Sequence, residues 1–268
     1  MKFLEFDLKK NEHYQPKLYA YILDAPEEIP LRKKRPAVII CPGGAYAYKS
    51  PREGEPIALQ YLAKNMNAFV LQYSVAPNRF PTAMLELAQA VMLVREHALE
   101  WSVDPEKIII MGFSAGGHLA ASLGTFWNRE IFRETFGESK AWKPDGMVLC
   151  YPVINMGEFA NTDSRKMLLG EDAKEEDWDA VSLEKQVSTD TVPAFLWHTQ
   201  EDDAVPVENS LLYAMALRKH QVPFELHIYE RGGHGLALCN EMTSVYDVQI
   251  VPDNTGWMDL SVNWIRRL

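Results

Sequence analysis

Cysteine is scarce in this sequence, with only Cys41, Cys150 and Cys239 among 268 residues. The three lie far apart, in or beside apolar runs, without zinc-type spacing and without the even number that a disulfide framework needs. Buried reduced thiols are therefore expected, and with them a cytosolic location. Positive charge is also in short supply. Lys and Arg number 27 against 37 Asp and Glu, a formal net charge of −10. Such a surface repels a phosphate backbone, so no nucleic-acid partner is expected. The one basic cluster, Arg32-Lys33-Lys34-Arg35, reads as a solvated loop before a strand. No apolar run reaches the roughly 18 residues of a membrane span, so no membrane association is expected. The opening Met1-Lys2-Phe3-Leu4-Glu5-Phe6-Asp7 is charged and has no apolar h-region, which argues against a signal peptide. Internal repeats and low-complexity segments are missing as well.

What is present is an alternation of short apolar runs with longer helical stretches. Strands are expected at Lys17–Leu23, Ala37–Cys41, Ala68–Tyr73, Lys107–Gly112, Gly146–Tyr151, Ala194–His198 and Glu225–Tyr229. Several are almost wholly apolar, as in Ala37-Val38-Ile39-Ile40, which fits strands buried on both faces of a parallel sheet. Helices are expected at Thr82–Trp101, Pro206–His220 and Thr255–Leu268. In the first of these, Leu87, Ala90, Val91, Val94 and Ala98 share one stripe, and Glu86, Gln89, Glu96 and Glu100 take the other side. The pattern predicts an α/β fold: a mostly parallel twisted sheet with helices on both faces, forming one domain over residues 1–268. Residues 157–192 depart from the alternation. Their acidic run, Glu171-Asp172-Ala173-Lys174-Glu175-Glu176-Asp177, fits either a cap or lid insertion around residues 155–192 or a surface excursion. Oligomeric state stays open, a homo-oligomer included.

The strand at 107–112 runs into Gly112-Phe113-Ser114-Ala115-Gly116-Gly117, a G-x-S-x-G between a strand and a small-residue helix. That context makes Ser114 the candidate nucleophile, lifted to the sheet edge by a strained turn whose glycines leave room for neighbouring backbone. Acyl transfer also needs N–H donors where the tetrahedral oxyanion forms. Ala115 is the first expected donor, and Gly44 or Ala45 of the Cys41-Pro42-Gly43-Gly44-Ala45-Tyr46 loop is the second.

A hydroxyl needs an adjacent imidazole held in the right tautomer by a carboxylate. Among seven histidines, His234 lies in the glycine-rich loop Arg231-Gly232-Gly233-His234-Gly235 after a strand, at the same edge as Ser114. His118 is expected to pack or hydrogen-bond, and His198 to position the loop that follows it. The carboxylate should come from Glu201-Asp202-Asp203. Asp202 is the choice, Asp203 the second candidate and Glu201 the third. Tyr46 and Phe113 are candidates for the substrate pocket, with Tyr48 and Trp127 behind them, although aromatics at such spacing commonly belong to a core.

At these residues the sequence resembles the α/β-hydrolase superfamily, in particular its acetyl-xylan-esterase-like and hormone-sensitive-lipase-like esterases. The resemblance rests on Pro42-Gly43-Gly44-Ala45-Tyr46, on Tyr73-Ser74-Val75-Ala76-Pro77 with Phe80-Pro81, on Gly112 to Ala120, on His198 to Pro206, and on Gly233-His234-Gly235. Departures are visible. Pro42 stands where the lipase-like branch has His, Phe113 where it has Asp, and Ser74 where it has Arg. The Ser-Ala-Gly-Gly-His form looks more like the acetyl-xylan-esterase branch and its formamidase relatives. The resemblance implies an α/β-hydrolase fold and a small-molecule ester substrate with a short acyl group such as acetyl, on a sugar for example. It implies no metal and no organic cofactor. Two alternatives stand beside it: an arylformamidase with the same three residues, and a non-catalytic binding protein on the same scaffold.

Overall fold

Residues Ala37-Val38-Ile39-Ile40-Cys41 are wholly buried, and alternate side chains of a strand point to opposite faces, so this run needs cover on both. The computed structural model, which describes residues 1–28 and 34–268, supplies it. The run ends β3 (Arg35–Cys41) in an eight-stranded sheet with β1 (Lys2–Asp7), β2 (Lys17–Ile22), β4 (Asn67–Gln72), β5 (Val103–Phe113), β6 (Gly146–Cys150), β7 (Ala194–Thr199) and β8 (Phe224–Tyr229). The strand order is β1-β2-β4-β3-β5-β6-β7-β8. The two pairings that involve β2 are antiparallel, and all pairings from β4 to β8 are parallel.

Two apolar cores result, one on each face. Ile39, Ile110, Leu149 and Leu196 face α2 (Thr82–Glu96), α3 (Ala115–Phe126) and α7 (Glu208–Lys219). Val38, Ile40, Met111 and Trp197 face α1 (Glu55–Ala63) and α8 (Trp257–Arg267). Each fully buried aliphatic side chain contributes about 1.5–3 kcal/mol of transfer free energy, so the paired cores hold the sheet rigid beneath whatever its edge carries.

The seven expected strands form with ends shifted by at most a few residues, and the chain adds β1 and α1 to them. The helix expected to reach Trp101 ends at Glu96. Beyond it the chain turns back, so that the Trp101 ring packs on Phe69 and Phe6 with centroids 5.6 and 5.2 Å away. Glu86, assigned by periodicity to the polar side, is buried. Its carboxylate accepts the Ser74 N–H (2.7 Å), the Ser74 hydroxyl (2.5 Å) and the Asn11 amide (2.9 Å). The basic cluster also divides. Arg32 and Lys33 lie outside the described residues, and Lys34 is exposed. Arg35, read as part of a solvated run, is wholly buried and donates to the Leu23 and Asp24 carbonyls and to Asn65. Among the described residues, no helix is long and apolar enough to cross a membrane.

Parallel pairing brings the carboxyl ends of β3, β5, β7 and β8 to one edge, with Cys41 opposite Gly112 and Thr199 opposite Tyr229. The loops leaving that edge carry Pro42–Ala45, Ser114, Asp202 and His234, the placement expected for ligand contacts in open α/β sheets. Residues 157–192 follow β6 at the same edge. They form α5 (Thr162–Leu169), α6 (Glu175–Val181) and a short 3-10 turn, Leu183–Lys185.

Candidate active site

Ser114 sits between β5 and α3 with φ 52° and ψ −120°. That left-handed backbone is strained for a residue with a side chain, and the surrounding packing enforces it. A Cβ on Gly112 would lie 1.9 Å from the Gly116 carbonyl oxygen, and one on Gly116 would lie 2.1 Å from the Cys41 carbonyl oxygen. Both obstacles are backbone and cannot swing aside. Gly112→Ala is therefore expected to cost more than about 3 kcal/mol, measured as lost soluble yield and a lower melting temperature. A melting temperature equal to the parent's would contradict this account of the turn.

The turn aims the Ser114 hydroxyl at His234. Their Oγ and Nε2 atoms are 2.8 Å apart, and His234 Nδ1 lies 2.7 Å from Asp202 Oδ2. A carboxylate can only accept, so Nδ1 carries the proton and Nε2 presents its lone pair to the hydroxyl. Asp202 is wholly desolvated at its side chain, while the imidazole is 23% exposed. Burial alone would raise the Asp202 carboxyl. Hydrogen bonds from His198 and His234, the His234 charge and the Val205 N–H outweigh it and hold the group well below the usual carboxylate range. Its Oδ1 accepts the Ala204 and Val205 N–H groups at 3.1 and 2.9 Å. Asp203 points to solvent, and Glu201 accepts the Gly232 N–H at 2.8 Å.

His198 stands behind the carboxylate, with Nε2 3.3 Å from Asp202 Oδ2 and 2.9 Å from the Val205 carbonyl. Its Nδ1 faces the Ser210 hydroxyl at 2.8 Å. His118 is also structural. Its Nε2 donates to the Val181 carbonyl, so Nδ1 accepts the Tyr46 hydroxyl at 2.9 Å. Burial, only partly opposed by the Val181 bond, pulls this imidazole down to about 4 and keeps it neutral.

Peptide planarity fixes where the expected oxyanion donors point, because N–H and C=O of a trans peptide face opposite ways. The Gly43 carbonyl accepts the Ser50 N–H at 2.9 Å, and the Gly44 carbonyl accepts the Ala47 and Tyr48 N–H groups at 2.9 and 3.1 Å. Both carbonyls are thus anchored in the loop, and the N–H groups of Gly44 and Ala45 face away from those anchors. The Ser114 carbonyl accepts the N–H groups of His118 and Val153, which likewise turns the Ala115 N–H towards the start of α3. Gly44 and Ala45 line a cleft of about 140 Å³ together with Ser114, His234, Tyr48 and Asn161.

Two expected pocket residues lie elsewhere. Phe113 ends β5 on the face that Ile109 and Met111 share, so strand alternation sends its ring into that core, against Tyr151 and Trp257 at 5.7 and 6.1 Å. Tyr46 is buried against Tyr73, with its hydroxyl held by His118. Trp127 is buried as well and donates to the Asp190 carbonyl at 2.7 Å. Of the aromatics considered, Tyr48 reaches the cleft.

Sequence reasoning passed over Arg52 and Glu53, which also line the cleft. Arg52 donates to the carbonyls of Gly235 and Thr243 at 3.0 and 2.9 Å, binding the His234 loop to the segment after the glycine loop. The sign that could have found them is an Arg-Glu pair among Pro51, Gly54 and Pro56, where turn chemistry brings side chains back to backbone. Cys41, Cys150 and Cys239 are free and buried, and burial pushes the Cys239 thiol up to about 12. Among the described residues, no group of three or more His, Cys, Asp or Glu is arranged to hold a metal ion.

The chain has relatives among known proteins. The BD-FAE family model matches residues 26–217, well over half of the chain. Endo-1,4-beta-xylanase B of Butyrivibrio fibrisolvens is 36% identical over 243 residues, which cover 88% of this chain and 37% of that protein. The acetylxylan esterase of Xylanibacter ruminicola is 29% identical over 231 residues, covering 83% of this chain and 45% of that one. The chain thus matches less than half the length of these two relatives. Solved structures match end to end. The acetyl ester-xyloside bifunctional hydrolase of Caldicellulosiruptor lactoaceticus is 37% identical, with a TM-score of 0.83 over 98% of this chain and 96% of that one. The carboxylesterase Cest-2923 of Lactobacillus plantarum is 29% identical, with a TM-score of 0.87 over 100% and 98% of the two chains.

Proposed function

This chain belongs to the BD-FAE family, as an α/β-hydrolase of the esterase type, and from that premise we propose that it cleaves short-acyl carboxylic esters through a Ser114 acyl-enzyme. The observation that carries the reading is the unbroken run of hydrogen bonds from Asp202 through His234 to Ser114, 2.7 and 2.8 Å long. As Ser114 Oγ attacks the ester carbonyl, His234 Nε2 takes its proton and Asp202 stabilises the imidazolium. The carbonyl oxygen gains charge and is met by the Ala115 N–H together with that of Gly44 or Ala45. His234 then returns the proton to the leaving alcohol. A water molecule, deprotonated by the same imidazole, hydrolyses the acyl-enzyme and releases the acid.

An acetyl group, carried by a sugar, is the substrate we assign. The small cleft around Ser114 supports a short acyl chain. Two relatives are named for acetylxylan and for an acetyl ester-xyloside. Nitrophenyl esters from acetyl to octanoyl, run beside acetylated xylo-oligosaccharides and N-formylkynurenine, test the assignment. The acetyl ester is expected to exceed the octanoyl ester by at least about tenfold in kcat/KM, because each methylene that fails to fit forfeits binding. Acetate release from the oligosaccharide should outpace cleavage of the formamide. A preference for octanoyl would remove the short-acyl assignment, and a preference for N-formylkynurenine would replace the esterase with an arylformamidase.

A further inference from the structure

Glu53 is a carboxylate 3% exposed beside a reaction that develops negative charge. By Coulomb's law it opposes an oxyanion, so its place in the cleft calls for a gain of another kind. Its contacts supply one. Oε2 accepts the Gly43 N–H at 2.8 Å, and Oε1 accepts the Tyr151 hydroxyl proton at 2.7 Å.

Each partner leads to a different half of the site. The Pro42–Gly43 peptide is held at both ends, since its carbonyl accepts the Tyr73 hydroxyl at 2.6 Å while its N–H faces Glu53. That fixes the plane from which the Gly44 and Ala45 donors project. Tyr151 belongs to the other half. Its ring meets the His234 ring edge-on at 5.2 Å, and its oxygen accepts the Ala237 N–H at 2.9 Å, three residues beyond the imidazole. One side chain therefore joins the glycine loop after β3 to the histidine loop after β8.

Building on the esterase reading above, we propose that Glu53, acting through Tyr151, is a positioning residue that keeps the oxyanion donors and the His234 imidazole in register. The bridge acts on the transition state, because both groups it aligns work hardest there, while the carboxylate oxygens of Glu53 are taken up by Gly43 and Tyr151. Its loss lowers kcat and leaves KM nearly unchanged.

Glu53→Gln, Tyr151→Phe and the double variant test this with nitrophenyl acetate, each rate divided by the active sites titrated in the initial burst. Glutamine presents only one acceptor, so it holds Gly43 or Tyr151 but not both as donors. Phenylalanine keeps the ring against His234 and removes the hydroxyl. Each single variant is expected to lose about 10–100-fold in kcat per titrated site with KM within about threefold, the scale of a small misalignment. The double variant should be no slower than the worse single one, since both cut the same bridge. Values of kcat per site within about twofold of the parent in both single variants overturn the proposal. So do losses that add in the double variant, or losses that vanish once divided by titrated sites. Parent protein and Ser114→Ala run alongside. An inactive parent, or an active Ser114→Ala, brings down the esterase reading and this inference with it. Full activity of Glu53→Gln and Tyr151→Phe beside a silent Ser114→Ala brings down this inference alone.

Discussion

Ser114→Ala is expected to lower kcat by about 10⁴–10⁶-fold and leave the fold intact. Both halves of this expectation follow from the turn. Among the described residues the Oγ atom makes one hydrogen bond, at 2.8 Å to His234 Nε2, so the substitution removes that bond and the nucleophile. Alanine meets the same backbone strain as serine at φ 52°, because the penalty there comes from Cβ. Melting temperature should accordingly shift by no more than a few degrees, while a fluorophosphonate probe that labels the parent leaves the variant untouched. A residual rate over water is expected, since the oxyanion donors and the cleft remain in place. Turnover at the parent rate by Ser114→Ala would move the nucleophile elsewhere and dismantle the proposed mechanism.

The fold was legible wherever the physics is local. Apolar runs such as Ile108-Ile109-Ile110-Met111 can be buried on both faces only in a sheet with helices above and below, and that is where they lie. β1 was not legible. It is an edge strand on which Lys2, Phe3, Glu5 and Asp7 are exposed while Leu4 and Phe6 pack partly buried against the core, and the three charges erase the apolar signal. α1 hid for another reason: it is nine residues long, starts after Gly54 and carries Pro56, so turn chemistry masked the buried set Ile57, Ala58, Tyr61 and Leu62.

At the site the same boundary applies. Gly112, Ser114 and Gly116 form a local steric problem that adjacent residues state in full, and a glycine-rich loop directly after a strand points to His234. Buried charge is different, because its partners are remote. Glu86 is stabilised by Asn11, 75 positions away, and Glu53 by Tyr151, 98 positions away. Helix periodicity therefore put Glu86 on the wrong side, and charge-run reasoning put Arg35 in solvent. Tyr46 and Phe113 failed from the opposite direction. Closeness in sequence to Gly44 and Ser114 pointed them at the cleft, but strand alternation and the Tyr46–His118 bond direct them into the core.

Asp202→Asn is the second large expected effect, a loss of about 10⁴-fold in kcat, with Asp203→Asn as its control. Among the described residues, every hydrogen-bond partner of the Asp202 carboxylate is a donor: the Ala204 and Val205 N–H groups on Oδ1, and His234 Nδ1 and His198 Nε2 on Oδ2. An asparagine has one acceptor oxygen and must turn its NH₂ towards one pair or the other. With the NH₂ facing the histidines, His234 must accept at Nδ1 and carry its proton on Nε2, and so cannot take one from Ser114. With the NH₂ facing Ala204 and Val205, the loop loses two buried acceptor contacts, and stability falls by about 1–3 kcal/mol. Both orientations damage the site, and they separate experimentally. The first kills turnover through the wrong tautomer, and the second keeps the Nδ1–H tautomer and shows mainly as a lower melting temperature. Asp203 is exposed, and its substitution should leave kcat within about twofold, the ordinary range for a surface change. Near-parental activity in Asp202→Asn, with a collapse in Asp203→Asn, would transfer the orienting role to the neighbouring carboxylate. It would also leave the four donors now turned towards Asp202 without a catalytic purpose.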